Sequence, residues 1–270
     1  VSFHSGNAQY WPNYMQHLIG GGMSYRLYSE WYRRHRFAHP RLMSGMTLFA
    51  YHLLNEVVEA SEHQGWNVDP VADFYIFNVL GVVLFESETV SRFFSRTLHM
   101  ADWSYQPALD PRDGSIVNNG QNFVWKLDLP WTERWRLFYH WGTHAEGGLS
   151  YRLDEEWSLS GGVGLKADDL VDLGDGFKTV DLAASAGIFL DRNNSLMASL
   201  VAAHTKDYRW RVNLYPGLVD LGPVAPGLFA VDSRTQGAVF GVTLDFLPAL
   251  PFGLAFSGPT RSETLPSSRW

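Results

Sequence analysis

The chain has 270 residues, no cysteine, a formal charge of -7 from 28 acidic and 21 basic residues, and 15% aromatic against 18% charged residues. That length buries a proper core without staples, which excludes disorder for most of the chain. The missing cysteines exclude a disulfide framework, a thiolate zinc site, an iron–sulfur cluster and a cysteine nucleophile, and the acidic balance argues against nucleic acid as a partner.

Val1 opens the chain without a leader segment, which reads as a mature, processed form. The longest apolar stretches, Leu42 to Leu54 and Val68 to Phe85, are interrupted by His52, Asp69, Asp73 and Asn78. Neither reaches the roughly 20 clean residues of a lipid-spanning helix. Up to about residue 105 the apolar residues recur at helical spacing, and beyond it they alternate. The expected organisation is α+β, with a helical domain over 1–104, a linker over 105–120, a small antiparallel barrel of eight or nine strands over 121–257, and a tail over 258–270.

Helices are expected over Tyr14 to His35, Pro40 to Glu62 and Pro70 to His99, with Asp69 as N-cap before Pro70. Gly20, Gly21 and Gly22 either break the first helix or let a neighbour approach closely. On the second helix His52, Glu56, Glu59 and His63 stand at i, i+4, i+7 and i+11 and line one stripe, a spacing at which imidazole and carboxylate bind a divalent metal. His17 and Asp73 complete a candidate catalytic set with Glu56 and Glu59. The competing reading is a buried hydrogen-bond network that holds the helices together and needs no cofactor. The basic run Arg33, Arg34, His35, Arg36, beside Trp31 and Tyr32, is a candidate contact for lipid phosphates or a solvated helix end.

Beyond residue 121, Phe123, Trp125, Leu127 and Leu129 oppose Asn122, Lys126 and Asp128, and Trp135, Leu137, Tyr139 and Trp141 oppose Arg136 and His140. Later strands set leucines and valines against Ser158, Ser160, Gly162, Gly164, Ser185 and Gly187, and Asp191 to Ser195 is a turn cluster. Alternation fits a soluble calycin-like barrel or an outer-membrane barrel. The small residues and balanced charges of the polar face favour a narrow, filled interior with the apolar face toward lipid. Trp125, Trp135, Trp141, Tyr151 and Trp157 are then expected at the membrane interface. A hydrolase reading rests on His140, His144 or His204 near strand ends with Ser150, Ser160 or Ser199, without a GxSxG elbow.

The run Asn55-Glu56-Val57-Val58-Glu59, followed by Asp69-Pro70, Asp73, Asn78, Gly81 and Glu86, with His17-Leu18-Ile19-Gly20-Gly21 upstream, resembles VanZ-like helical domains of bacterial envelope proteins. The resemblance covers residues 13 to 90 and departs at one point: five residues separate Asp73 from Asn78 where the family's spacing is four, which turns Asn78 one step round an α-helix. It implies an envelope location and a small polar network. The combined expectation is an outer-membrane protein with a structural or interaction role, in contact with outer-membrane lipids and other envelope proteins. Two alternatives stand beside it: an envelope lipid- or lipopolysaccharide-modifying enzyme using the helical His/Glu/Asp set, and a soluble ligand-binding barrel.

Overall fold

The strongest determinant of the architecture is the two-residue period of the C-terminal half, which forces every long strand to present two chemically different faces. In the computed structural model, which describes residues 10–60, 72–172, 178–219, 221, 225–247 and 250–258, these strands assemble into one curled, mixed sheet. It has thirteen strands rather than the eight or nine expected. Three are two residues long: β1 (Ala101–Asp102), β2 (Ala108–Leu109) and β3 (Ile116–Val117). The ten long ones are β4 (Asn122–Asp128), β5 (Trp135–Gly142), β6 (His144–Arg152), β7 (Trp157–Asp172), β8 (Lys178–Arg192), β9 (Ser195–Ala203), β10 (Tyr208–Leu214), β11 (Pro226–Ser233), β12 (Gly237–Leu247) and β13 (Leu250–Ser257). The long strands follow one another as an antiparallel meander.

The difference in strand number comes mostly from residues 101–117, the end of the expected helical domain and most of the expected linker, which supply three short strands; ten long strands where eight or nine were expected supply the rest. Prolines and glycines keep the pairing of that stretch short, yet β1 runs antiparallel to β4 and β2 runs parallel to β13, so the segment from 101 to 109 pairs with both edges of the meander. The parallel pair makes the sheet mixed rather than antiparallel throughout. Main-chain bonds from Trp103 N to Asn122 O and from Tyr105 N to Gly120 O continue the ladder along β4. At the β8–β9 turn Asn193 and Asn194 take φ of 51° and 66°. Both central residues of a type I′ hairpin need positive φ, and Asn tolerates it better than other side chains.

The concave face is polar and aromatic. Lys126, His140, His144 and Glu146 are each 0% exposed and point inward, as do Ser150, Ser160, Ser185, Asp191, Arg211 and Asn213. Lys126 Nζ lies 2.5 Å from Asp191 Oδ1, an ion pair between β4 and β8. Trp103, Tyr105, Phe138, Phe189 and Tyr215 fill the space between such groups. The convex face carries Ile188 at 53% exposure, Val163 at 70% and Phe240 at 58%, with Leu137, Leu149, Leu200, Val242 and Leu254 around them.

The helical region precedes the sheet. π-helical turns Tyr10–Tyr14 and Gln16–Gly20 lead into α1 (Gly21–Arg34); α2 (Pro40–Ala60) follows, then a π-helical turn Asp73–Phe77, α3 (Asn78–Glu86), α4 (Glu88–Arg92) and a last π-helical turn Phe93–Thr97. The third expected helix is thus broken: Ser87 takes extended dihedrals, φ -71° and ψ 120°, and the axis bends by 85° there. Ser87 sits at the N-cap position of α4, and Glu88 behind it meets the helix dipole and the Arg26 guanidinium. The glycine run allows close approach rather than a break. A Cβ on Gly22 would collide with the Phe85 ring and one on Gly20 with the Phe123 ring, so α1 packs tightly on both α3 and the sheet. The helices lie against the convex side of β4 and β5, where Met15, Ile19, Met23 and Phe94 pack on Phe123 and Trp141. No single helix among the described residues is long and apolar enough to cross a membrane.

Candidate functional site

Three inward positions of one hairpin make the tightest cluster of potential ligand groups among the described residues. The last pair of β5 and β6 is Trp141 with Ala145, so the connection is Gly142, Thr143 and His144, with Gly142 at φ 137°. The register pairs His140 with Glu146, and His144 lies two residues from Glu146, so the strand period turns all three side chains to the same face. His140 Nδ1 is 3.4 Å from Glu146 Oε2, and His144 Nδ1 is 3.1 Å from Glu146 Oε1. All three are fully buried, and their potential ligand atoms lie within 4.8 Å of one another.

The neighbouring strands explain how a fourth group arrives. Glu146 pairs with Gly164 on β7, and Gly164 pairs with Ser185 on β8. Since Gly164 has no side chain, Ser185 Oγ reaches across it, donates to Glu146 and stands 3.1 Å from His144 Nδ1. Gly187, one step along β8, is equally required: a Cβ there would stand 2.9 Å from Glu146 Oε2. On the far side of the ring the Tyr105 hydroxyl is 2.9 Å from His144 Nε2 and that of Tyr208 is 3.5 Å away. The Arg211 guanidinium is sandwiched between Tyr105 and Tyr208 at 4.1 and 4.0 Å from the ring centres, which holds its charge away from the histidines.

This constellation does not form a Ser–His–acid relay. A relay needs the imidazole to hold the serine with one nitrogen and the carboxylate with the other. Here Ser185 and Glu146 both face Nδ1, and Nε2 is engaged by tyrosine. The serines read from sequence as nucleophile candidates lie elsewhere. Ser150 and Ser160 bond to each other at 2.9 Å, Ser199 bonds to Asn213, and His204 is exposed on the rim near Arg234. Chemically, the cluster offers two imidazoles and a carboxylate in a dry setting, a donor set for a metal ion or for a shared proton.

The helical candidates are brought together in part. His17 Nε2 lies 3.7 Å from Asp73 Oδ2, and His17 Nδ1 is 3.2 Å from Asn78 Oδ1. Asn13 donates to Asp73 at 3.0 Å, and the His52 ring packs edge-on against His17 at 4.8 Å. Burial, with His17 alongside, pushes His52 down to about 3. The five-residue spacing of Asp73 and Asn78 is absorbed by the π-helical turn, in which Asn78 N donates to Asp73 O. A π-turn closes over five residues, so both side chains return to the same side and meet His17. The side chains of Glu56 and Glu59, and His63, Asp69 and Pro70, lie outside the described residues.

The aromatic candidates divide. Trp135 and Tyr151 pair on the convex face with ring centres 4.8 Å apart, and Trp157 sits on the same rim under Arg192. Trp125 is half-buried against Phe94, and Trp141 is fully buried beneath the helices. Arg33, Arg34 and Arg36 are exposed at the end of α1, where Trp31 stacks on His35 at 4.0 Å. Sequence reading missed Glu146 and Ser185. The signal for Glu146 was its place two residues from His144 in an alternating strand, whereas Ser185 is joined to the cluster only by strand register.

Comparison with known protein families, curated proteins and solved structures finds no match for this chain.

Proposed function

We propose that the protein is an integral outer-membrane barrel whose role is structural or interaction-based. The observation that carries this reading is the inversion of the sheet. A barrel in water buries its apolar face and exposes the polar one, whereas here Lys126, Glu146, Asp191 and Asn213 are inside and a belt of Leu, Val, Ile and Phe side chains is outside. An apolar patch of that extent is not sustained in water without a partner, and a bilayer is the partner that covers a surface on all sides. The packed interior supports a structural role rather than a channel.

Three further features support the same reading. The strand segment 101–109 pairs with two residues of each edge strand and so shortens the open edge that lipid does not tolerate. Trp131, Trp135, Tyr151 and Trp157 gather toward one rim, at the level of an interface girdle. The helices, docked on the convex face, also turn apolar side chains outward: Leu42, Met46, Phe49 and Leu53 on α2, and Val79, Leu80 and Val83 on α3. We place this unit at the level of the lipid, as a monotopic appendage with Arg33, Arg34 and Arg36 toward phosphates. The VanZ-like reading of residues 13–90 belongs to the same proposal, supported by His17, Asp73 and Asn78 meeting in one network.

Fractionation of cells expressing the full chain tests the proposal, together with electrophoresis of boiled and unboiled detergent extracts. Recovery with outer membranes and a faster-migrating unboiled band are expected. A chain that stays soluble and monodisperse without detergent would overturn it, and its convex face would then belong to a soluble barrel that meets another protein.

A further inference from the structure

We propose that His140, His144 and Glu146 bind a divalent transition-metal ion of the zinc class, as a structural centre inside the sheet. The spacing of the donors is the first argument. With metal–ligand bonds of about 2.0–2.1 Å, two ligands of a tetrahedral ion stand roughly 3.3–3.5 Å apart. The separations of 3.4 Å from His140 Nδ1 to Glu146 Oε2 and 3.1 Å from His144 Nδ1 to Glu146 Oε1 lie close to that, and the whole donor set falls within 4.8 Å, so a small turn of one side chain brings the three onto a common ion.

The second argument is what the protein leaves unsatisfied. His140 Nε2 is buried with no hydrogen-bond partner among the described residues, and His140 Nδ1 and Glu146 Oε2, buried as well, face only each other across 3.4 Å without forming a well-aligned hydrogen bond. An imidazole and a carboxylate oxygen left so in a dry interior are costly, and a cation between them takes both a lone pair of Nδ1 and the negative oxygen. The third argument is the surrounding shell. His144 presents Nδ1 toward Glu146 while its Nε2 is held by the Tyr105 hydroxyl, the pattern by which outer groups fix the tautomer of a metal-binding histidine. Ser185 Oγ stands beside Nδ1 as a neutral oxygen for the remaining coordination position, and Gly187 leaves room beside Glu146 Oε2, where a Cβ would stand 2.9 Å away. Two imidazoles with one carboxylate suit zinc and its neighbours, whereas calcium and magnesium call for oxygen alone. The site is sealed, so the ion enters as the strands close and its role is to join β5, β6 and β8 rather than to activate a substrate.

The test uses the full chain unfolded in denaturant and refolded into detergent with zinc, with cobalt or with a chelator. Expected are about one equivalent of zinc per chain that survives gel filtration, and a visible cobalt spectrum of tetrahedral intensity. His140→Leu, which stays closer in volume and offers no ligand atom, and Glu146→Gln each lower retained zinc at least about tenfold while the heat-modifiable band persists. Wild-type protein that refolds and retains neither metal would overturn the proposal and leave a proton shared between Glu146 and the histidines. Variants that retain as much zinc as wild type would overturn it equally, by placing the ion elsewhere. Should both variants fail to fold, the cobalt spectrum of the wild type is compared with that of His52→Gln: tetrahedral imidazole ligation unchanged by that substitution keeps the ion on the sheet, and its loss would overturn the proposal by moving the ion to the helices. Because the membrane assignment is read from the heat-modifiable band, failure of the metal proposal leaves that assignment standing.

Discussion

Lys126 and Asp191 show how a single pair holds the interior. Both side chains are almost fully buried, and the ammonium also stands 4.8 Å from the Trp103 ring centre. Removing one partner leaves a charge without solvent or counter-charge. Lys126→Met is expected to destabilise the sheet by about 3–5 kcal/mol, and the double substitution Lys126→Met with Asp191→Leu to recover most of that. Urea titrations of the refolded protein in lipid vesicles measure both. A double variant as unstable as the single one would show that packing, rather than the orphaned charge, sets the cost. His52 provides a residue-scale test in the helices. Its ordinary value of 6.5 falls to about 3 in the fold, so between those values the unfolded chain binds a proton that the folded chain refuses. Stability from this group is therefore fully present above pH 6.5 and declines as pH falls toward 3, by up to about 1.4 kcal/mol per pH unit. Hydrogen exchange of α2 amides, corrected for intrinsic rates, should show faster opening at pH 4.5 than at pH 7. His52→Phe should reduce that dependence.

At the scale of elements, the π-helical turn before α3 is the feature that spacing rules misread. On a regular α-helix Asp73 and Asn78 point apart, yet here both meet His17 because the turn closes over five residues. Tyr75 lies in the middle of that turn and is 74% exposed. Deleting it restores four-residue spacing on an α-helix, which keeps the two side chains on one face. The deletion is expected to change the stability of the helical unit by less than about 1 kcal/mol, whereas inserting one Ala after Tyr75 swings Asn78 away and costs the hydrogen bond to His17. Limited proteolysis of the helical region separates the two, and equal sensitivity of both variants would remove the π-turn from the explanation. The hairpin that carries His140, His144 and Glu146 follows the opposite rule. There the local period alone sets the facing, and the short connection from Gly142 to His144 fixes the register.

For the whole molecule, the sign of the sheet's polarity is the quantity to test. Ile188 lies in β8 on the convex face, and Glu155 is exposed in the turn between β6 and β7. In a bilayer Ile188→Arg is expected to cost about 2–4 kcal/mol, against less than about 0.5 kcal/mol for Glu155→Arg. Vesicle refolding with a urea gradient provides the comparison. A neutral Ile188→Arg, or one that frees the protein from detergent, would place the convex face in water.

Much of this was legible in the chain. Alternation of Leu, Val and Phe with Ser, Gly and scattered charges marked the strands and their two faces, because a period of two leaves no freedom in side-chain direction. His17 and Asp73 were identifiable as candidates for one site, whereas the spacing of Asn78 turned it away from them, and the glycine run was identifiable as a close-packing or breaking element. Sequence by itself therefore determined that a helical unit precedes an all-strand one, and which residues of each strand share a face. Tertiary structure decided the rest. It brought Ser185 to Glu146 across Gly164, a contact 39 positions apart that depends on the registers of two strand pairs. It also buried Trp141, whose place on the convex face is read from alternation but whose cover of helix, Met15, Ile19 and Met23, is not. Finally, it turned residues 101–109, the end of the expected helical domain and the start of the expected linker, into the strand segment that meets both edges of the meander. Local periodicity fixes where a side chain points, while what it meets there is set by long-range pairing that no window of sequence contains.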